Sequence, residues 1–183
     1  MTRIDSFRTT ETREQGFSLI ELMVAGAIFA ILAALGGLAL NGYAKRAALS
    51  GAQQELATQL RELQQAVGSE SHPVVYGARL RAGSGEIGVT RFDPRIGTSG
   101  TCSLLRSVDL EGRTEIASIT DFVDRDPAAI CRTQITSTQA SDRFVWFFAR
   151  GTSVDGSVTL SRPGVGITRS VSVAGLTGRV DEL

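Results

Sequence analysis

Residues 17–40 read FSLIELMVAGAIFAILAALGGLAL, 24 residues with one ionisable side chain, Glu21. About 20 apolar residues cross the hydrocarbon core of a bilayer as a helix, so the run predicts a membrane-spanning segment. A secretory signal accounts for it less well. Residues 1–16 carry three Arg against three acids rather than a positive excess, and no polar segment precedes Gly37 and Ala39. The run also exceeds the roughly 7–15 residues of a signal core. A plain anchor leaves Glu21 unexplained, because an unpaired carboxylate at mid-helix costs at least about 2.5–3.5 kcal/mol in hydrocarbon. An amine is the natural partner. Cleavage between Gly16 and Phe17 creates one, on the helical face of Glu21 within one chain and available as a register key between chains.

The rest of the chain narrows the class. Nineteen Lys and Arg balance nineteen Asp and Glu over 183 residues, which argues against a bulk electrostatic nucleic-acid binder. Two cysteines are too few for a disulfide framework. Beyond the apolar run, Asn41, Gly42, Tyr43, Lys45 and Arg46 have the character of a membrane interface. Leu49, Ala52, Leu56, Leu60, Leu63 and Val67 then recur at steps of three and four, with Gln53, Gln54, Glu55, Arg61, Glu62 and Gln64 off that stripe. This predicts an amphipathic helix over 41–68 whose stripe packs on the chain's own head, with Gly68 and Ser-His-Pro as stop signals. Taken as continuous, the helix over 17–67 would measure roughly 75 Å.

From residue 74 onward, short runs rich in β-branched and aromatic residues alternate with Gly, Ser, Asp and Pro. Strands are expected at 74–80, 87–92, 103–110, 130–136, 143–149, 157–161 and 166–173, in an antiparallel sandwich. Phe144-Val145-Trp146-Phe147-Phe148 is apolar throughout and is expected to be a central strand dominating the core. The fold class is therefore α+β, a long N-terminal helix packed on a β-sandwich head. Its divisions are a leader over 1–16, a transmembrane half over 17–40, an amphipathic half over 41–68 and a head over 69–183.

Gly16-Phe17-Ser18-Leu19-Ile20-Glu21-Leu22-Met23-Val24-Ala25 resembles the processing motif of type IV prepilins and type II secretion pseudopilins. The resemblance implies cleavage after Gly16 by a prepilin peptidase, N-methylation of Phe17, and a role for Glu21 in stacking subunits into a filament. It also implies a single-pass protein of the bacterial inner membrane with a periplasmic head. Its partners would be the lipid bilayer before assembly, the inner-membrane assembly platform, and other pilins or pseudopilins afterwards. The neutral leader departs from the basic leaders common in the family.

The closing runs, Gly156-Ser157-Val158-Thr159-Leu160, Arg169-Ser170-Val171-Ser172-Val173 and Gly178-Arg179-Val180, more loosely resemble the FimT/GspH branch of minor pilins. That resemblance implies a low-copy subunit acting in priming or at the tip. Some members of the branch bind DNA through a Gly-Arg-x-Arg tail. Here Asp181 replaces the second arginine. Residues 132–179 nevertheless hold six arginines against two acids, and 109–126 hold six acids against two arginines. Arg162, Arg169 and Arg179 are thus the candidate DNA contacts, with a match between neighbouring subunits or solvated faces as the blander readings.

Other motifs point to no chemistry. Gly83-Ser84-Gly85-Glu86-Ile87-Gly88 fits GxGxxG, but strand residues follow it, so it reads as a hairpin turn. His72 is the sole histidine, and Asp121, Asp124 and Asp126 lack the EF-hand spacing. No metal, cofactor or enzymatic activity is assigned. Cys102 and Cys131 are expected to form a disulfide if the head lies outside the cytoplasm, the alternative being two separate buried thiols.

Overall fold

A computed structural model describes residues 17–97, 99–122, 126–149 and 152–183. The leader, Gly16 and Asp124 lie outside them. Helix α1 spans Leu19–Ser69, and the chain divides into two compact units, Met1–Leu40 and Asn41–Leu183. In the first unit every described side chain from residue 17 to residue 40 is exposed, and α1 is long and apolar enough to cross a membrane. A helix apolar all round and uncovered needs hydrocarbon or other protein around it.

In the second unit the same helix is amphipathic. Leu49, Ala52, Leu56, Leu60, Leu63 and Val67 are all buried, each worth about 1.5–3 kcal/mol for a large aliphatic side chain. Gln53 departs from the expected pattern. It is buried beside the stripe, and its amide nitrogen donates to the carbonyls of Ser170 (2.8 Å) and Leu183 (3.1 Å). Burial without a partner would cost the amide's hydration, so those two bonds are what let a glutamine occupy the site.

Among the described residues the head contains eight strands: β1 Val75–Leu80, β2 Glu86–Asp93, β3 Thr101–Asp109, β4 Glu115–Thr120, β5 Arg143–Phe147, β6 Gly156–Ser161, β7 Arg169–Ala174 and β8 Arg179–Glu182. Helix α2, Asp126–Gln134, precedes β5. Two four-stranded antiparallel sheets result, ordered β3-β2-β1-β5 and β4-β6-β7-β8. Side chains from both sheets join the α1 stripe in one core that includes Leu80, Ile87, Phe147, Val158, Leu160 and Val171. The β1–β2 turn ties the sheets together, since Gly83 N donates to Ile116 O (2.8 Å) and Ile116 N to Ser84 O (2.9 Å). Gly83 has φ +77°, and a Cβ on Gly85 would stand 2.6 Å from Thr114 O. Gly83 and Gly85 of the GxGxxG stretch therefore serve a turn pressed against the segment that leads into β4, while Gly88 lies within β2.

Three expectations change. Residues 130–136 are not a strand, because 126–134 form α2, whose Asp-Pro start suits a first helical turn. Strand β4 occupies a segment where no strand was expected; only Ile116 in it is buried, and its register shifts between Ile116 and Ser118. Strand β5 is an edge strand, not a central one. It is buried on both faces because Val145 and Phe147 join the α1 core while Phe144 and Trp146 lie in a second cluster with Ala128 and Cys131 of α2. Phe144 and Trp146 stack with ring centroids 5.4 Å apart. Gly77 faces Trp146 across the strand pair, and a Cβ there would overlap the indole ring, so the glycine makes the space the ring fills.

The α2 segment is held down twice. Cys102 of β3 and Cys131 of α2 form a disulfide, with Cα atoms 5.1 Å apart. On the following loop, fully buried Asp142 receives Arg81 Nε at 2.7 Å and Nη2 at 3.0 Å, and Gln139 N at 3.0 Å. Arg79 lies alongside, with its Nε 3.9 Å from Asp142. Burial alone would push the Asp142 carboxyl up. The Arg81 and Gln139 hydrogen bonds and the charges of Arg81 and Arg79 outweigh it, leaving the group below its usual value.

Candidate processing and assembly site

The motif residues sit where α1 begins. Ser18 precedes the first helical residue, and its Oγ accepts a hydrogen bond from Glu21 N (3.2 Å). In return Ser18 N donates to Glu21 Oε2 (3.4 Å). This is a capping box: a helix start leaves backbone N–H groups without partners, and a Ser and a Glu three residues apart satisfy two of them reciprocally. The Glu21 carboxylate also lies in the first turn, where the helix dipole favours negative charge. Reading the sequence for an amine partner passed over Ser18, although Ser-x-x-Glu before an apolar run is the signal for this cap. Phe17 is 83% exposed just outside the helix, and Gly16 lies outside the described residues.

The candidate DNA contacts do not come together. Arg162 and Arg169 flank the β6–β7 hairpin, whereas Arg179 opens β8 opposite Ala174. Arg169 and Ala174 mark the two ends of β7, about 17 Å apart along a strand. Arg179 Nε donates to Asp181 Oδ2 at 2.7 Å, so the residue that replaces the second arginine of the tail neutralises the first.

Elsewhere, Ser71 Oγ and His72 Nδ1 share a contact of 3.1 Å at the surface. Among the described residues no three His, Cys, Asp or Glu side chains are grouped as metal ligands would be.

Residues 12–37 match the family model described as the prokaryotic N-terminal methylation motif. No curated protein and no solved structure matches the chain. The match covers the capping box, the acid and most of the apolar run, all at the start of a helix whose second half is built into an antiparallel β head. The chain thus carries the type IV prepilin-like signal of pilin-like proteins processed by prepilin peptidase.

Proposed function

We propose that the chain is a minor pilin or pseudopilin of the FimT/GspH type, assembled into a type IV pilus or a type II secretion pseudopilus and acting in priming or at the tip. The observation that carries this reading is the methylation motif at the head of α1, on a helix that is uncovered over its first half and locked into a head over its second. Prepilin peptidase cuts after Gly16 and the new Phe17 amine is methylated. Until assembly the apolar half lies in the inner membrane with the head in the periplasm, and the assembly platform then transfers it to the filament core. There Glu21 exchanges its bond to Ser18 N for the Phe17 amine of a neighbouring subunit. The exchange replaces a backbone N–H donor by a full positive charge at the same carboxylate, so the acid enters the apolar core as a neutralised pair rather than as a lone charge. No catalysis is proposed, and the Arg179–Asp181 pair counts against a DNA receptor.

Glu21→Ala tests the assembly role. The variant should insert and fold its head normally, yet be depleted from sheared filaments relative to the membrane pool. Wild-type incorporation of that variant would remove Glu21 from the mechanism.

A further inference from the structure

We propose that the β6–β7 hairpin is a second, peripheral membrane contact that seats the head on a bilayer surface bearing anionic headgroups; this rests on the membrane reading of residues 17–40. The hairpin reads Arg162-Pro163-Gly164-Val165-Gly166-Ile167-Thr168-Arg169, with an arginine at each end, no acid, and apolar residues between. Val165 packs partly against the core and anchors the hairpin, while Pro163 and Ile167 are exposed, Ile167 by 42%.

Its place in the head follows from the bonds along α1. Gln64 reaches Thr177 O, Arg61 reaches Val180 O and Gln53 reaches Ser170 O. Continuing toward the helix start, Lys45 Nζ lies 3.1 Å from where a Cβ of Gly164 would stand. Lys45 follows Leu40, the last residue of the apolar run, by only five positions. The hairpin therefore lies at the end of the head where α1 enters it, beside Lys45. Gly112 packs beside the Arg162 guanidinium and Ala48 at the same end.

Most arginines elsewhere in the head are paired, Arg95 of the β2–β3 turn being an exception, whereas unpaired cations collect at this end. Arg61, Arg79, Arg81, Arg91, Arg106 and Arg179 each have an acidic partner. Lys45, Arg46, Arg113, Arg162 and Arg169 make no ion pair among the described residues, and Arg162 Nη1 is buried without a hydrogen-bond partner. The acids at this end are Glu86 and Asp109, which share a cleft with Arg113 and Pro163, together with Glu111, Glu115 and the terminal carboxylate beside Ser170; Glu86 is already paired with Arg79. Unpaired cations on both sides of an apolar tip suit a headgroup layer: the arginines take phosphate oxygens while Pro163 and Ile167 enter the boundary with the acyl chains. Such a cation near an anionic surface gains about fivefold in affinity, and the gain fades within the screening length.

Hydrogen exchange of the full-length chain in nanodiscs tests this, comparing phosphatidylcholine alone with phosphatidylcholine plus phosphatidylglycerol at low ionic strength. Backbone amides of 162–168 should exchange about fivefold more slowly in the anionic discs, with the effect lost at high salt. The 174–178 turn, at the opposite end of β7, should not change. Arg169→Gln and Ile167→Ser, both at exposed positions, should each reduce the protection while the strand amides report an intact head. Equal exchange in the two discs, with the chain resistant to alkaline extraction, would overturn the hairpin contact and leave the anchor standing. Release of the chain by alkaline extraction would instead overturn the anchor, and the hairpin contact with it.

Discussion

The two halves of α1 share a backbone conformation and differ in everything their side chains meet. Over 17–40 the described apolar residues point in all directions and are exposed, as with Leu22 at 70% and Phe29 at 72%. Over 41–69 they form a stripe, and Leu49, Leu56 and Leu60 are fully buried. The difference lies in periodicity, not in hydrophobic content. A stripe has a dry side and a wet side, so it can be buried by one folded domain. A residue set with no polar side cannot be satisfied by a single head and must be covered by lipid or by other subunits. The helix thus joins an element stabilised by its own chain to one that depends on its surroundings.

That contrast breaks most sharply under charge. Leu60→Asp would place an unpaired carboxylate in the core at more than about 5 kcal/mol, enough to unfold a marginally stable domain. Leu32→Asp should leave head unfolding unchanged and impair membrane insertion. Circular dichroism of both variants in detergent, with a fractionation assay, separates the two outcomes. A Leu32→Asp head that unfolds with the Leu60→Asp head would show that the two halves are not energetically distinct.

Reducing the Cys102–Cys131 bridge comes next. On the chain-entropy model it should cost the head about 3–4 kcal/mol, seen as a lower denaturant midpoint, with insertion untouched. An unchanged midpoint after verified reduction would mean that the Asp142 cluster holds α2 alone.

Asp142→Asn should follow, at about 3 kcal/mol, the low end for breaking a buried pair because Glu86 still pairs with Arg79. Its pH dependence has a fixed sign. The folded-state pKa of Asp142 lies below its unfolded value, so the unfolded chain binds the proton more tightly. The stabilisation is complete above the unfolded value and is lost as pH falls through the folded one. Wild-type stability should therefore drop below about pH 4, and Asp142→Asn should flatten that slope. The same slope in both proteins would assign the acid transition to other carboxylates.

Much of this was legible in the residues. The apolar run, the stripe from Leu49 to Val67 and most strands follow from periodicity and length, since local pattern and tertiary environment agree there. The failures occur where they disagree. Ile130 to Thr136 has β-branched character, yet Asp126-Pro127 upstream starts a helix that also brings Cys131 to Cys102. Strand β4 shows no alternation because it is an edge strand with one buried residue and a register shift. The continuous apolar run of β5 marked burial on both faces correctly, but helices supply that burial. At the candidate site Glu21 stood out as the one acid in the run, whereas its partner within the chain, Ser18, is marked only by the Ser-x-x-Glu spacing of a helix cap.

Processing itself can be read from the N-terminus of the mature protein. When the chain is co-expressed with a prepilin peptidase and recovered from membranes, N-terminal sequencing and intact mass should give a chain that begins at Phe17 and carries one added methyl group. A chain that keeps residues 1–16 under those conditions, or one cut elsewhere such as after Ala39, would contradict the prepilin account.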